Sequence, residues 1–437
     1  MRRWLESRRV HDVALLAAVL AAALAALWIG LPGQWRENQN FDYTTYYEPV
    51  ARRLLAGGGF REPSGAPAAH YPPGFSLLLA AVFGLAGWTG AGEDLVFRAF
   101  VLLCDLASIA LVYLIAERAG GRKLGLAAGL LWVTYPFFLW LSKQPNSETP
   151  FLVLLLLASY LFMRLATGDV RYVTALGAGV AAGLASLVRQ SAVGYGALLA
   201  GLLLFLLKEV PVARRSALAL VLVAGNLAAV APWELWVYSA DGEKIVLGRN
   251  VANSLKDGMT FAMTAKASGK PLPVGDDIRG LMQRANADPS STRSVPAVAR
   301  FLAGEVKVRP LTVVRYLWLK ARRAWFGTHG QWLETPIACI QIVYLSAACA
   351  GLVFLWRSGE PARKRFAALA ITASLYFWGL TVLVLPLLRY MIGAMALLVV
   401  AVAALSLAAF ERLGLRSRLN EPCPGKAYKH PTVCAGD

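Results

Sequence analysis

Long apolar segments recur along almost the whole chain, and they limit the folds that it can adopt. The segments lie at about residues 13–31, 97–116, 124–141, 150–163, 172–188, 191–207, 217–238, 336–356, 366–385 and 390–410. Most approach the roughly 20 residues that an α-helix needs to cross the hydrocarbon core of a bilayer. Only 16% of the 437 residues are charged, whereas soluble proteins carry about a quarter. The sequence therefore predicts an all-α polytopic membrane protein.

Charge and cysteine content exclude several other classes of protein. The net charge is +18, which we assign to membrane topology and anionic lipids. No segment resembles a basic soluble domain with exposed aromatic residues, so nucleic acid is not a predicted partner. The five cysteines include no CxxC pair, so neither zinc nor structural disulfides are predicted. Because Pro32-Gly33-Gln34-Trp35 follows the first apolar segment in place of a cleavage site, we interpret that segment as an uncleaved anchor.

Basic residues predict the orientation of the spans, because cytoplasmic loops are enriched in lysine and arginine. The clusters are Arg2, Arg3, Arg8 and Arg9; Arg118, Arg122 and Lys123; Arg164 and Arg171; Lys208, Arg214 and Arg215; Arg357, Arg363, Lys364 and Arg365; and Arg412, Arg416 and Arg418. Residues 74–89 are also apolar and could form an eleventh span or an interfacial helix. The interfacial alternative puts every cluster on the cytoplasmic side. We therefore favour ten spans with both termini cytoplasmic.

This topology predicts how the chain is divided between the two sides of the membrane. Segments 32–96, 142–149, 189–190, 239–335 and 386–389 face the extracytoplasmic side. The predicted regions are an N-terminal membrane module (1–238) with a catalytic first outer loop (32–96), an extracytoplasmic loop domain (239–335), C-terminal membrane helices (336–410) and a cytoplasmic tail (411–437). Ionisable residues that converge at membrane depth indicate a functional site.

Asp42 is the first candidate for such a site. The following segment, YTTYYEPVARRLLA, has apolar positions at near-helical spacing, and Gly57-Gly58-Gly59 ends it. We expect an amphipathic interfacial helix over residues 43–56. Asp42 is then either an ordinary N-cap of this helix or a general base held over the bilayer edge.

The tyrosines and the double proline of the first outer loop are predicted to form the wall of a substrate groove. Pro72 and Pro73 make a rigid turn that delays the start of the next helix. The predicted groove residues are Tyr43, Tyr46, Tyr47, His70, Tyr71, Pro72 and Pro73.

Glu148 is the second candidate acid, in the segment SKQPNSETPF. Asn146 or Ser147 could cap the helix that follows, with Pro150 in its first turn. A glutamate in that turn favours the helix dipole. The alternative is a second acid for the hydroxyls of the acceptor or donor. A divalent cation held by Asp42 and Glu148 also remains open, although no cluster has metal-ligand spacing.

Arg189 and Arg389 each follow an apolar segment at the predicted outer face, in SLVRQS and PLLRYM. A single arginine at such a place usually extends its head to the interface. Two of them near two acids suggest an anion clamp, because guanidinium groups match phosphate oxygens. Trp233, Arg249 and His329 are weaker candidates, and His329 is more readily explained as structural. No nucleotide-binding loop or nucleophile elbow is present in the sequence.

These residues resemble a known family. FDYTTYYEPVARRLLAGGGF followed by YPPGFSLLLA is similar to the first outer loop of GT-C membrane glycosyltransferases, of the protein O-mannosyltransferase and lipid A aminoarabinose transferase type. NSETPF resembles the second acidic motif of that family, and LRYMIGAMALL its late Arg-Tyr motif. LVRQSAVGY resembles an arginine-containing segment, although the family often has proline where Gln190 stands.

The resemblance implies a fold and an activity. The fold is GT-C-like, with about 10–11 transmembrane helices, interfacial helices in the first outer loop and one larger extracytoplasmic loop. The activity is inverting transfer of a sugar from a polyprenyl-monophosphate donor to a lipid, glycan or protein hydroxyl, on the outer face of the plasma (inner) membrane. By the resemblance, Asp42 is the candidate base, Arg189, Arg389 and Tyr390 bind the donor phosphate, and Glu148 is a second acid where the family often has aspartate. No cofactor is implied with certainty.

Other classes of function remain open at this stage. A membrane transporter or lipid-sugar flippase would have broken helices and ionisable groups near the bilayer midplane. Here the acids lie at one face, with Asp105 as an exception. A ligase that uses a diphosphate-linked glycan, or a structural scaffold, is the third class. Donor consumption that depends on Asp42 would separate the transferase from the transporter.

Overall fold

The computed structural model describes residues 2–30, 42–143, 145–242, 247–263, 271–328 and 333–419. Within them the chain forms helices and no strand, as the sequence predicts. The α-helices are α1 (Arg2–Gly30), α2 (Glu48–Leu55), α3 (Gly74–Thr89), α4 (Glu93–Gly120), α5 (Arg122–Val133), α6 (Pro136–Leu141), α7 (Glu148–Ala166), α8 (Tyr172–Val188), α9 (Tyr195–Leu206), α10 (Val212–Asp241), α11 (Val251–Met259), α12 (Asp276–Ala287), α13 (Val295–Val308), α14 (Pro310–Arg323), α15 (Glu334–Arg357), α16 (Pro361–Leu383) and α17 (Ile392–Leu419).

Six helices among the described residues are long and apolar enough to cross a membrane. They are Glu93–Gly120, Glu148–Ala166, Val212–Ala240, Glu334–Arg357, Pro361–Leu383 and Leu388–Leu413. Shorter apolar helices cover Val10–Ala26, Gly74–Thr89, Tyr172–Val188 and Gln190–Leu206. Each of the ten predicted spans therefore corresponds to helical structure, but several are too short to cross on their own.

One predicted span is divided. The segment 124–141 forms two helices, α5 and α6, separated at Thr134 and Tyr135. Pro136 explains the break, because proline lacks the amide hydrogen that would continue the helix and disfavours helical conformation in the residue before it. Tyr135 accordingly has extended backbone, with φ −69° and ψ 117°.

The membrane helices pack closely through small residues, as is usual where lipid competes for apolar contacts. A Cβ atom at Gly179 of α8 would lie 1.9 Å from the carbonyl oxygen of Leu222 in α10, so only glycine permits this approach. Near the centre of the bundle, α17 is buried along most of its apolar length. These contacts make a rigid frame for the ends of α7, α8 and α16.

A second, smaller apolar core lies between α10 and α15, in the segment that the sequence predicts to be the large outer loop. Helices α11, α12, α13 and α14 contribute to it, and its fully buried members include Leu255, Met259, Leu281 and Tyr316. Leu383 and Leu385, at the end of α16, pack against the same core. The loop helices are therefore fixed directly onto the end of a membrane-length helix.

Candidate active site

A cavity of about 400 Å³ lies where these elements meet. It is bounded by the first outer loop, the segment before α7, the end of α8, the starts of α11 and α13, the end of α16 and the segment before α17. Its lining includes the predicted residues Asp42, Tyr43, Tyr47, Tyr71, Pro72, Arg189, Arg389 and Tyr390. The first outer loop, the end of α8 and the segment before α17 thus bring their candidate side chains to one place.

Two arginines form the cationic part of the cavity wall. Arg189 Nη1 lies 3.0 Å from Glu148 Oε2, and Arg389 Nε lies 3.7 Å from Glu148 Oε1. The guanidinium carbons lie 5.4 Å and 5.0 Å from the centre of the Tyr390 ring. Both arginine side chains are 15% exposed, so their charges remain accessible from the cavity while water screens them little.

Glu148 lies behind the arginines. Its side chain is only 2% exposed, and the cavity lining does not include it. A buried carboxylate that contacts two guanidiniums offsets part of their repulsion and fixes their heads. In this structure Glu148 is therefore placed to position the arginines, rather than to touch a hydroxyl group in the cavity.

The start of α7 shows why the local sequence produces this arrangement. Asn146 Oδ1 accepts hydrogen bonds from the backbone N–H and the hydroxyl of Thr149, at 3.0 and 3.1 Å. This is the helix cap that the sequence predicts, with Pro150 in the first turn. Ser147 then meets Arg189, whose Nη1 donates to the Ser147 hydroxyl at 2.6 Å.

Asp42 precedes a short π-helical turn, Tyr43–Tyr47, which leads into α2. Its side chain makes no cap hydrogen bond, so the ordinary N-cap role is not adopted. Instead, the hydroxyl of Tyr71 donates to Asp42 Oδ1 at 2.9 Å. Burial, and then the charge of Asp42, raise the pKa of Tyr71 well above its usual range, so Tyr71 keeps its proton and remains a donor. The helix ends near the predicted residue, with Gly57 at a φ of +76°.

The aromatic residues of the first outer loop form a packed wall around Tyr71. Its ring centre lies 5.1 Å from that of Tyr47 and 5.0 Å from that of Tyr46. Tyr46 and His70 lie behind this wall, outside the cavity lining, and so does Pro73. Gly74 explains the sequence YPPG, because a Cβ atom there would lie 2.6 Å from the carbonyl oxygen of Leu187. The double-proline turn can thus pack against the end of α8, beside Arg189.

Residues 247–250, which we call the outer strap, contain the weaker candidate Arg249, but Leu247 and Asn250 were not predicted to belong to the site. The backbone N–H groups of Arg249 and Asn250 donate to the carbonyls of Ala69 and His70, at 2.9 and 3.0 Å. Leu247 and Asn250 line the cavity, whereas Arg249 does not. The strap thus connects the large loop to the turn that holds Tyr71.

Leu247 has an unusual backbone conformation, with a φ of +64°. Such values cost on the order of 1–3 kcal/mol for a residue with a side chain and persist only where neighbours enforce them. Glu234 Oε1 accepts the Leu247 N–H at 2.7 Å, and the Trp233 indole donates to the Leu247 carbonyl at 3.1 Å. The segment PWELW, which contains both Trp233 and Glu234, is the signal in the sequence that points to this contact.

A large part of the cavity lining is apolar. Its lining includes Val193, Leu247, Val251, Leu255, Val295, Phe377, Leu380, Leu383 and Val384. A ligand that fits both parts of this cavity combines an anionic head with a hydrocarbon chain. The lining also includes the neutral polar side chains of Asn146, Gln190, Asn250 and Ser254, which can form hydrogen bonds with hydroxyl groups.

The remaining predictions concern metal binding and His329. Within the described residues, no three His, Cys, Asp or Glu side chains are close enough to hold a metal ion. Glu148 faces two positive charges, which is an unfavourable place for a further cation shared with Asp42. His329 lies outside the described residues.

Comparison with known proteins identifies the architecture. Residues 70–236 match the family model of dolichyl-phosphate-mannose-protein mannosyltransferase, a segment that contains Tyr71, Glu148 and Arg189. The oligosaccharyltransferase of Archaeoglobus fulgidus, tethered with an acceptor peptide, superposes with a TM-score of 0.56 at 14% identity. The match covers 94% of this chain and 51% of that one. The chain has the GT-C fold.

Two further comparisons give the range of similarity. The same archaeal enzyme in its apo form matches with a TM-score of 0.50, 14% identity, and coverage of 94% of this chain and 51% of that one. ArnT of Cupriavidus metallidurans, bound to undecaprenyl phosphate, gives a TM-score of 0.41 at 15% identity, over 94% of this chain and 80% of that one. No curated protein matches the sequence at a significant level.

The GT-C fold confirms the resemblance found in the sequence, and the six membrane-length apolar helices among the described residues support an integral membrane protein. The chain spans about half the length of the archaeal oligosaccharyltransferase. Asp42 and Arg389 lie outside the segment that matches the family model. Their place in the site rests on the geometry of this chain alone.

Proposed function

We propose that the protein is a membrane glycosyltransferase that moves a sugar from a polyprenyl-monophosphate donor to an acceptor hydroxyl. The observation that carries the proposal is one cavity whose lining combines Arg189, Arg389 and Asp42 with many apolar side chains. The family matched by residues 70–236 is described as using dolichyl-phosphate-mannose, a lipid donor of this chemistry. The acceptor can be a lipid, a glycan or a protein.

The charges near the arginines favour a monophosphate carrier. Within the ion-paired cluster of Arg189, Arg389 and Glu148, two positive charges meet one negative charge, so the cluster itself carries one positive charge; the carboxylate of Asp42 is counted apart from it, as the base. A sugar phosphodiester carries one negative charge and balances it. When the sugar leaves, negative charge develops on the phosphate, and the fixed guanidiniums stabilise it without losing protons.

Asp42 is the proposed general base. A sugar or protein hydroxyl is a weak nucleophile, and a carboxylate within hydrogen-bond reach can take its proton as it attacks the anomeric carbon. The hydrogen bond from Tyr71 orients the carboxylate of Asp42 at the cavity wall. Attack from the side opposite the phosphate inverts the anomeric centre.

The apolar wall accommodates the first isoprene units of the carrier. The end of α16 and the start of α11 supply this wall, and the outer strap closes the cavity beside it. Water must be kept out, because hydrolysis of the donor competes with transfer. Asn250 and Ser254 are then well placed to hydrogen-bond the transferred sugar.

The site is proposed to face the extracytoplasmic side. Helix α7 has 19 residues, so its two ends are about 28 Å apart. Its first residue, Glu148, belongs to the site. At its other end, Arg365 donates to the carbonyl of Ala166 and Arg214 to that of Val170. Basic residues mark the cytoplasmic side, which supports a site on the opposite face of the plasma membrane.

The test is a transfer assay on the purified protein in liposomes, with polyprenyl-phosphate mannose labelled in the sugar and a membrane-lipid extract as the acceptor pool. Transfer of label by the wild-type protein, reduced at least about a hundredfold in Asp42→Asn, would support the proposal. Asp276→Asn, which changes an exposed outer-loop carboxylate, is the matched control. If both variants retained wild-type transfer, Asp42 would not be the base. Gradient-driven uptake without donor consumption would support transport instead.

A further inference from the structure

Helix α14 of the large outer loop has apolar residues on two opposite faces. One face is buried and includes Thr312, Val313, Tyr316, Lys320 and Arg323. The other carries Leu311, Val314 and Trp318, which are 69%, 62% and 64% exposed. These three residues follow the i, i+3, i+7 spacing of a single helical stripe. A soluble loop would not normally leave such a stripe in water.

The contacts of α14 fix its height relative to the membrane. The indole of Trp378, within the membrane-length helix α16, donates to the carbonyl of Ala321 at 2.8 Å. Lys320 Nζ donates to the carbonyls of Leu383 and Val384 at 3.3 and 2.9 Å. The second half of α14 therefore lies beside the last turns of α16, where that helix leaves the bilayer.

Basic side chains accompany the exposed stripe. Lys307, Arg315 and Arg322 are exposed around it, and Arg315 lies 3.3 Å from Asp277. An exposed tryptophan and arginines around an apolar stripe match the headgroup region of a leaflet, where aromatic rings meet the acyl boundary and cations meet phosphates. The same stripe is less suited to a protein partner, because it ends beside a helix that is itself surrounded by lipid.

We propose that α14 is an interfacial helix whose Leu311, Val314 and Trp318 face insert into the headgroup and upper acyl region of an anionic lipid leaflet, on the side of the membrane that carries the cavity. The loop domain is then anchored to the bilayer, besides being bonded to α16. Lys320 connects the anchored helix to Leu383 and Val384, which form part of the apolar wall of the cavity. The membrane surface thereby helps to hold that wall in place for a lipid ligand.

The experiment uses the full chain in nanodiscs of phosphatidylcholine and phosphatidylglycerol. A photo-cross-linking amino acid replaces Val314 or Trp318, and Gln283 or Asn286 in matched controls. The controls are exposed positions on α12 of the same loop. After illumination, mass spectrometry of the protein measures the yield of covalent phospholipid adducts. Because all four positions are exposed, none of the substitutions removes core packing.

We expect the adduct yield at Val314 and Trp318 to exceed that at the α12 positions by at least about threefold. Phosphatidylglycerol should be enriched among the adducts, and Arg322→Glu should reduce that enrichment. Equal yields at all four positions, or adducts with a second copy of the protein in place of lipid, would overturn the proposal. Neither readout depends on transferase activity, so the result stands apart from the proposed function.

Discussion

The carboxylate of Glu148 lies 3.0 Å from the guanidinium of Arg189, and the same carboxylate reaches Arg389. One buried carboxylate is thus ion-paired with two guanidinium groups that line the cavity. Its removal leaves two buried positive charges close together, which is costly until an anion binds between them.

Glu148→Gln is therefore expected to lower the thermal unfolding midpoint of the ligand-free protein. It should also shift binding preference from polyprenyl monophosphate toward polyprenyl diphosphate by about tenfold, because the net charge at the site rises by one unit. The measurement is the ratio of the two dissociation constants. Glu334→Gln, which breaks the buried pair with Arg323 away from the cavity, should lower stability without changing that ratio. An unchanged ratio in Glu148→Gln would show that the charge of Glu148 does not set the preference for a monophosphate.

Arg389→Ala is expected to weaken binding of polyprenyl phosphate about tenfold to a hundredfold, since a hydrogen bond to a charged group contributes about 1.5–3 kcal/mol. Arg389→Lys should recover only part of the affinity, because an ammonium group lacks the planar fork of the guanidinium. Calorimetric titration in detergent measures both variants. Arg249→Ala, at a position outside the cavity lining, should bind like the wild type. If Arg249→Ala had the larger effect, the phosphate would be bound elsewhere.

Tyr71→Phe removes the hydrogen bond to Asp42 and leaves the aromatic packing in place. We expect kcat to fall about tenfold with little change in donor affinity, because the carboxylate loses its orientation and not its charge. Tyr46→Phe is the control, since Tyr46 packs behind the same wall without lining the cavity. Equal losses in the two variants would indicate a general packing effect instead.

Lys320 gives the outer loop a pH-dependent stability. Burial lowers the pKa of Lys320 to about 7, whereas the pKa in an unfolded chain is near its ordinary value. Between these two values the unfolded state binds more protons, so stability should rise with pH by up to about 1.4 kcal/mol per unit. Below about pH 7 Lys320 is protonated in both the folded and the unfolded state, so it no longer makes the stability depend on pH.

The check compares thermal unfolding midpoints at several pH values from 7 to about 10. Lys320→Met should remove the rise in stability, because methionine fills a similar space without titrating. Lys256→Met, at an exposed position on α11, should keep it. A wild-type midpoint that does not change with pH would show that Lys320 is charged in the folded protein.

Glu234 and Trp233 are expected to hold the outer strap in its conformation. Glu234→Ala removes the acceptor that fixes the left-handed residue Leu247. Amide hydrogen exchange at Leu247 and Asn250 should become faster, because the strained conformation loses one of its two side-chain anchors. Exchange within α8 should not change. Unaltered exchange at the strap would mean that its hydrogen bonds to Ala69 and His70 suffice.

Much of the fold could be predicted from local sequence. The positions of the membrane helices follow from apolar segments, the end of α2 from three glycines, and the start of α7 from Asn146 and Pro150. Each of these signals acts within a few residues, where propensity and capping decide the structure. The break at Pro136 also follows a local rule, which the long apolar segment around it concealed.

The contacts that complete the site could not be predicted in the same way. The backbone N–H of Asn250 donates to the carbonyl of His70, some 180 positions earlier in the chain. The conformation of Leu247 is held by hydrogen bonds to two side chains of α10. Such pairings depend on the packing of the whole bundle. The burial of Glu148 is a similar case, because only the approach of α8 and of the segment before α17 encloses it.

The most direct test of the central claim is an experimental structure of the protein in a lipid nanodisc with polyprenyl phosphate added. The account predicts phosphate density within hydrogen-bond distance of both Arg189 and Arg389, beside Asp42, and isoprene density along the wall formed by Leu380, Leu383 and Val384. Phosphate density at another site, with none between the two arginines at saturating ligand, would contradict it.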